Sequence, residues 1–232
     1  MSKQLLHIIA TPRGLASNTG RMSSVLLEEL HGKYDELEVR TLDLFSADLP
    51  AVAGTNINSK YALMTGQPLA EEARRSWGEI ERTIEGLLDA DVYLLTVPMW
   101  NFGIPYALKY YIDAIVQPGY LFRYNELGQP EPLVHGKKMV CVTTRGGDYS
   151  GLMASFDYVE NYLRAIFGFV GISDITFFNV QPMDVSAALR REAFRTAVGD
   201  VRAWVAGGAW DGEPSAPVDA LPAGVKPQVI VE

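Results

Sequence analysis

The 232-residue sequence has one cysteine, Cys141, and only three histidines. A single cysteine excludes a disulfide framework, and it also excludes the cysteine clusters that hold structural zinc. Cys141 lies in the apolar run 139–142, which is typical of a buried structural thiol. The histidines His7, His31 and His135 do not have the spacing of metal ligands. We therefore expect no metal site.

Positive charge and long apolar runs are also scarce. The sequence has 20 Lys and Arg against 28 Asp and Glu, for a formal net charge of -8. Without a basic surface, binding to the phosphates of nucleic acid is not expected. No run approaches the roughly 20 apolar residues of a membrane span, and the N-terminal apolar stretch is short and interrupted by His7. We expect a cytoplasmic protein that binds neither nucleic acid nor membrane.

Three well-known catalytic and nucleotide-binding motifs are missing. The sequence contains no G-x-G-x-x-G dinucleotide fingerprint, no G-x-x-x-x-G-K-[ST] phosphate loop and no G-x-S-x-G nucleophile elbow. No nucleophile or acid–base pair is evident either, so we assign no catalytic residue. Any chemistry would then come from a bound cofactor, and hydride transfer through a flavin needs no nucleophile from the protein.

Apolar runs and helical periods do alternate along the chain. Strands are predicted at 5–10, 37–44, 92–97, 138–144 and 174–180, helices at 21–30, 69–88, 104–117, 152–167 and 186–206, and a loop at 46–67. This order predicts an α/β fold, a doubly wound five-stranded parallel sheet with helices on both faces. We expect one domain over residues 1–208 and a proline-rich C-terminal tail over residues 209–232.

Ligands of a doubly wound sheet bind at the carboxyl ends of its strands, near the point where strand order reverses. Three predicted loops at those ends carry hydroxyls, aromatic rings and paired glycines. The candidate cofactor-binding residues are Thr11, Ser17, Asn18, Thr19, Met99, Trp100, Asn101, Phe102, Thr144, Arg145, Gly146 and Gly147.

Each loop also has a purely structural interpretation. Residues 17–19 can cap the first helix, which is compatible with holding a phosphate at its N-terminus. The Gly146-Gly147 pair can form an ordinary turn, or it can use unusual dihedrals that direct its N–H groups at a ligand. Trp100 and Phe102 can belong to the core. The convergence of all three loops on one edge of the sheet favours a ligand site.

Three segments in fixed order resemble one known family. PMWNFGIP at 98–105, LKYYIDAIVQPGYLFRY at 108–124 and GKKMVCVTTRGG at 136–147 are similar to the FMN-dependent NADH-azoreductases, which are flavodoxin-like quinone reductases. The resemblance extends over residues 3–206. It differs from the usual family pattern at Trp100, which is often Tyr, at Thr144, which is often Ser, and in a less serine-rich opening at 11–13.

This resemblance implies a flavodoxin-like fold with bound FMN. It implies that residues 11 and 17–19 hold the phosphate and ribityl chain, that residues 99–102 line the isoalloxazine edge, and that residues 144–147 close its pyrimidine side. N–H groups of Gly146 and Gly147 would then stabilise the negative charge of reduced flavin.

The resemblance also implies an activity: NADH or NADPH reduces FMN, leaves, and is replaced by a quinone or azo compound in a ping-pong cycle. Tyr120, Phe122 and Tyr149 are expected to line the substrate. Two alternatives stay open, a flavodoxin-type electron carrier and an NADPH-dependent FMN reductase that supplies reduced flavin.

A homodimer with two flavin sites at its interface is expected as well. In and after the 104–117 helix, the apolar side chains exceed what one buried face requires: Tyr106, Tyr110, Tyr111, Tyr120, Leu121 and Phe122. Such a surplus is typical of an interface. The alternative is that residues 118–136 fold back over these rings within one subunit.

Overall fold

The structure is a computed structural model that describes residues 3–65, 67–208 and 210–211. Within them, the strands are β1 (Lys3–Ile9), β2 (Leu37–Asp43), β3 (Val92–Pro98), β4 (Phe122–Tyr124), β5 (Pro130–Pro132), β6 (Lys138–Thr144) and β7 (Asp174–Val180). The α-helices are α1 (Asn18–Lys33), α2 (Thr55–Met64), α3 (Glu71–Leu88), α4 (Tyr106–Ile115), α5 (Tyr158–Val170) and α6 (Ala187–Ala206).

Five of the strands form one parallel sheet in the order β2-β1-β3-β6-β7. Its central strands are apolar on both faces because helices cover both, as the sequence predicted. One face packs against α3, α4 and α5 through residues such as Ile80, Leu108 and Phe167. The other face packs against α1 and α6 through residues such as Leu26 and Val201. The predicted doubly wound parallel sheet is confirmed.

The prediction of a loop at 46–67 is wrong for residues 55–64, which form α2. Asn and Ser are common in this helix and no side chain caps its N-terminus at Gly54, so the local sequence gives little helical signal. The helix lies against α3, and Leu63 packs on the core. Tertiary contacts therefore stabilise it more than helix propensity does.

Helix α5 begins later than the predicted residue 152. The Asp157 carboxylate accepts hydrogen bonds from the N–H groups of Val159 and Glu160, which fixes the helix N-terminus there. The helix ends at Gly171, whose φ of 107° suits glycine. A Cβ at Gly171 would lie 2.1 Å from the Val134 carbonyl oxygen, so a larger residue could not pack there.

The segment 118–136 contains an antiparallel hairpin formed by β4 and β5. Phe122, the first residue of β4, is buried, with its ring centroid 4.7 Å from that of Phe169. Leu121 is also buried, so folding back within the subunit accounts for these two side chains, and Tyr111 is buried in the core of the same subunit. Tyr106 and Tyr110 are 70% and 41% exposed. Of the apolar side chains that we expected at an interface, these two are exposed enough for a partner subunit to cover.

Of the predicted tail 209–232, only Trp210 and Asp211 lie within the described residues. Trp210 is buried, and its ring lies 6.0 Å from that of Tyr34 and 5.9 Å from that of Trp204. The Tyr34 hydroxyl donates to Asp211 at 2.7 Å. In the described part of the chain, no helix has the length and apolar character that a membrane span requires.

Candidate functional site

Strand order reverses between β1 and β3, and a cavity of about 300 Å³ opens at their carboxyl ends. Its wall contains nine of the predicted residues: Thr11, Ser17, Asn18, Thr19, Met99, Trp100, Thr144, Arg145 and Gly146. Five wall residues were not predicted: Pro12, Arg13, Pro98, Met183 and Asp184. The predicted residues Asn101, Phe102 and Gly147 lie next to the wall in sequence without forming part of it.

The N-terminus of α1 forms one end of the cavity. Ser17 is its cap, because the side-chain oxygen accepts from the Gly20 N–H and donates to the Gly14 carbonyl, both at 2.9 Å. The N–H groups of Asn18 and Thr19 have no hydrogen-bond partner among the described residues. They are the free donors that make a helix N-terminus suitable for an anion.

Two further residues complete this end. Gly20 lets the preceding loop lie against the helix, since a Cβ there would be 2.4 Å from the Gly14 carbonyl oxygen. Arg13 is exposed and has no ion-pair partner in the described part of the chain. Its guanidinium adds a positive charge to the helix N-terminus, and both favour a phosphate group.

The loop after β3 is a tight turn. The backbones of Trp100 and Gly103 exchange two hydrogen bonds of 2.9 Å, and the two residues between them, Asn101 and Phe102, have φ values of 46° and 69°. This left-handed conformation is uncommon for residues other than glycine, and such strain is concentrated at functional sites. The sequence left open whether Gly146 and Gly147 form an ordinary turn or use unusual dihedrals, and neither glycine has a positive φ.

The loop after β6 is held between its neighbours. The Thr144 carbonyl accepts from the Met99 N–H at 2.9 Å, and the Gly146 carbonyl accepts from the N–H groups of Met183 and Asp184 at 3.1 and 3.0 Å. These bonds bring the residues after β7 into the cavity wall. Within the described residues, the N–H groups of Gly146 and Gly147 have no partner. The loop therefore has two free donors.

Arg145 lies beneath this loop with its side chain almost completely buried. Its guanidinium contacts Asp157 at 2.6 and 2.8 Å, donates to Asn179 at 3.0 Å, and also donates to Thr143. Since Asp157 caps α5, the arginine ties the loop to that helix. Its charge is paired inside the protein, so it supports the loop without offering a free cation to the cavity.

Aromatic rings flank the opening of the cavity. On one side, the Phe45 ring lies 5.9 Å from Trp100 and 5.5 Å from Tyr106. On the other, the Phe102 ring lies 6.3 Å from Tyr149 and 5.4 Å from Phe156. Phe45 and Phe156 were not predicted, because no motif connects them to the strand ends.

Two of the three residues predicted to line the substrate lie elsewhere within this subunit. The Tyr120 hydroxyl donates to Glu81 at 2.5 Å and accepts from the Trp77 indole at 3.0 Å. Burial, together with the bond to Glu81, raises the pKa of Tyr120 to about 12. Phe122 is buried against Phe169, whereas Tyr149 lies beside Phe102. A substrate contact of Tyr120 or Phe122 stays a prediction.

A buried polar chain lies behind the cavity. The Thr96 hydroxyl is 2.7 Å from His7 Nε2 and 2.6 Å from the Ser23 hydroxyl. Burial lowers the pKa of His7 to about 4, so the ring is neutral at pH 7. It therefore stabilises the interior and supplies no charge to the site.

The fold and the site together match known proteins. Residues 3–205 match a family described by its flavodoxin-like fold, so the chain is a flavodoxin-like protein. It is 35% identical over 198 residues to the FMN-dependent NADH:quinone oxidoreductase of Desulfotalea psychrophila, covering 85% of this chain and 93% of the relative. It is 36% identical over 200 residues to the FMN-dependent NADH:quinone oxidoreductase of Nitratidesulfovibrio vulgaris, covering 83% of this chain and 95% of the relative. The chain belongs to the family of these quinone oxidoreductases, which confirms the resemblance seen in the sequence.

Solved structures show the same fold. An azoreductase from Bacillus anthracis superposes with a TM-score of 0.79 at 24% identity, covering 88% of this chain and 98% of that one. An FMN-dependent NADH-azoreductase from the same species, solved in complex with FMN, gives a TM-score of 0.78 at 23% identity, covering 88% and 99%.

Proposed function

We propose that this chain is an FMN-dependent NAD(P)H oxidoreductase that reduces quinones and azo compounds. The observation that carries the proposal is a cavity at the switch point of the sheet, with unpaired N–H donors in the loops at both ends. One pair of donors, at Asn18 and Thr19, suits a phosphate, and the other, at Gly146 and Gly147, suits the polar edge of a ring. The relatives are named as FMN-dependent enzymes, and FMN has both a phosphate and a ring with a polar edge, as these two pairs of donors require.

The residues present therefore fit FMN. Asn18, Thr19 and Arg13 would hold its phosphate, and Met99 and Trp100 would lie along the ring. When bound, FMN supplies the ability to accept a hydride and pass it on, which no side chain provides. The free N–H groups at 146 and 147 stabilise negative charge beside them. The aromatic rings around Trp100 give the opening an apolar surface.

The reaction converts NAD(P)H, a proton and a quinone into NAD(P)⁺ and a hydroquinone. Donor and acceptor both carry flat rings, so the aromatic opening formed by Phe45, Trp100 and Tyr106 can receive either in turn. This supports a ping-pong order. Since NAD(P)H is a cytoplasmic donor, we propose a cytoplasmic location.

We also propose a homodimer in which the partner completes the site. Tyr106 contacts Trp100 at the cavity mouth and is exposed, as is Tyr110 one helical turn later on α4. Exposed aromatic side chains next to a site are typical of an interface. A partner on this face of α4 would cover the Trp100 opening.

The visible spectrum of the purified protein tests the proposal. We expect a flavin spectrum that bleaches when NADH is added without oxygen and recovers when a quinone follows, with parallel double-reciprocal plots in steady state. An electron carrier would show no quinone turnover with NADH, and an FMN reductase would release free reduced flavin. A protein that binds no flavin would contradict the proposal.

A further inference from the structure

A second cavity, of about 390 Å³, lies beside the edge strand of the sheet. It is lined by residues of β2, the segment 47–50, α3 and α4, and it shares no wall residue with the cavity described above. Its apolar wall consists of Leu6, Leu42, Ala47, Leu49 and Pro50. A cavity of this size holds a small organic molecule.

Tyr111 of α4 forms part of this wall, and its side chain is fully buried. Its hydroxyl has no hydrogen-bond partner among the residues that the structure describes. Burial raises the pKa of this hydroxyl, and the charge of the Arg40 guanidinium, which lines the same cavity, acts against the rise. A buried hydroxyl without a partner is unfavourable, and a ligand that accepts its proton would satisfy it.

Arg40 of β2 lies on the same side of the sheet. The Arg40 guanidinium lies against α3 at Gly86 and donates to the Gly86 carbonyl. A Cβ at Gly86 would be 3.7 and 3.8 Å from the two terminal nitrogens of Arg40. No carboxylate of the described residues forms an ion pair with it. The unused N–H groups of a fixed guanidinium are suited to a carboxylate.

The remaining charges limit what can bind. Arg82 also lines the cavity, 4.0 Å from Glu79, and both side chains are largely exposed. Asp48 is the other carboxylate in the wall and is exposed as well. Two carboxylates at the rim oppose a ligand with several negative charges, whereas a ligand with a single carboxylate can pair with Arg40, which is itself an exposed residue.

We propose that this cavity is a second ligand site, which binds a small aromatic carboxylate. The carboxylate accepts from Arg40 and from the Tyr111 hydroxyl, and the ring packs against Leu6, Leu42 and Leu49. The proposal does not depend on the redox activity of the first cavity.

The test uses benzoate as the probe and benzamide as its neutral counterpart, with binding to the FMN-loaded protein measured by ligand-observed NMR and calorimetry. We expect benzoate to bind with one site per chain and benzamide to bind at least about tenfold more weakly, since it lacks the charge. Absence of benzoate binding at millimolar concentration, or equal binding of the two compounds, overturns the proposal.

Two variants locate the site. Tyr111→Phe and Arg40→Gln should each weaken benzoate binding about tenfold or more. Because the Tyr111 hydroxyl has no partner, Tyr111→Phe should not lower the unfolding midpoint. Tyr93→Phe is the matched control, since this buried tyrosine donates to the Leu87 carbonyl at 3.1 Å and does not line the cavity. It should bind benzoate as the wild type does.

Trp100→Ala separates the two cavities. Benzoate binding that survives Trp100→Ala and is weakened by both Tyr111→Phe and Arg40→Gln supports the second site. Binding that is lost in Trp100→Ala, or that is unchanged in either second-cavity variant, assigns benzoate to another place and overturns the proposal.

Discussion

The hydroxyl oxygens of Thr19 and Thr144 lie 2.5 Å apart and join the first turn of α1 to the carboxyl end of β6. Both side chains are buried in the cavity wall. Only one of the two hydroxyls donates its proton to the other oxygen. The hydroxyl that accepts this bond keeps its own proton, which it can donate to a ligand. This contact links the phosphate end of the proposed site to the ring end.

Replacing Thr19 with Val should weaken FMN binding. The change removes a hydroxyl from the wall and leaves Thr144 without its partner. Losing a hydrogen bond to the charged phosphate costs about 1.5 to 3 kcal/mol of binding free energy, or roughly 10- to 150-fold in affinity. Fluorescence titration of FMN into the apoprotein measures the change. Ser24→Ala is the control, because that hydroxyl bonds only the Gly20 carbonyl of the same helix. Equal FMN affinity in both variants would remove Thr19 from the site.

Gly146→Val should strongly reduce flavin content. A Cβ at this position would be 3.0 Å from Asp184 Oδ2, and a branched side chain would crowd the two free N–H groups of the loop. Gly151→Val is the control, because a Cβ at Gly151 meets no atom within 4 Å. The ratio of flavin to protein absorbance after purification measures the outcome. Normal flavin content in Gly146→Val would contradict this placement of the ring.

Two substitutions at Asn101 separate its backbone from its side chain. Ala is unfavourable at a φ of 46°, so Asn101→Ala should lose about 1 kcal/mol of stability, while Asn101→Gly should keep the turn. Urea unfolding measures this difference. If the Asn101 side chain contacts the flavin, both variants lower the rate of reduction or the flavin potential. Normal rates and potentials in both would exclude such a contact.

Tyr110→Asp should produce monomers with reduced quinone turnover. In the proposed dimer, this change buries a carboxylate without a partner, which is strongly unfavourable. Light scattering and turnover are measured together, with Leu189→Asp as a control on α6, where the side chain is similarly exposed. A wild-type protein that is monomeric at micromolar concentration and fully active would exclude the dimer.

Stability should fall as the pH decreases from about 6.5 to about 4. His7 has a folded pKa of about 4 against an ordinary value of 6.5, so within this range the unfolded chain binds a proton that the folded chain does not. The full effect is about 3 kcal/mol. His7→Gln should flatten this part of the pH profile in urea unfolding, whereas the exposed His31→Gln should not. An unchanged profile in His7→Gln would show that folding does not lower the pKa of His7.

The sequence by itself determined the sheet. Runs such as 92–97 and 139–142 are apolar at nearly every position, which is typical of a strand covered on both faces. Helix α1 was similarly evident from its period, and the hydroxyl-rich loop before it marked one end of the cavity. Local patterns carry these features because each depends on residues close together in the chain.

Tertiary structure decided the rest, because it depends on which segments meet. Helix α2 forms because it packs on α3, although its own residues are weak helix formers. Met183 and Asp184 enter the cavity only because β7 pairs with β6 and Gly146 accepts their N–H groups. No pattern along the chain records contacts between residues so far apart in sequence.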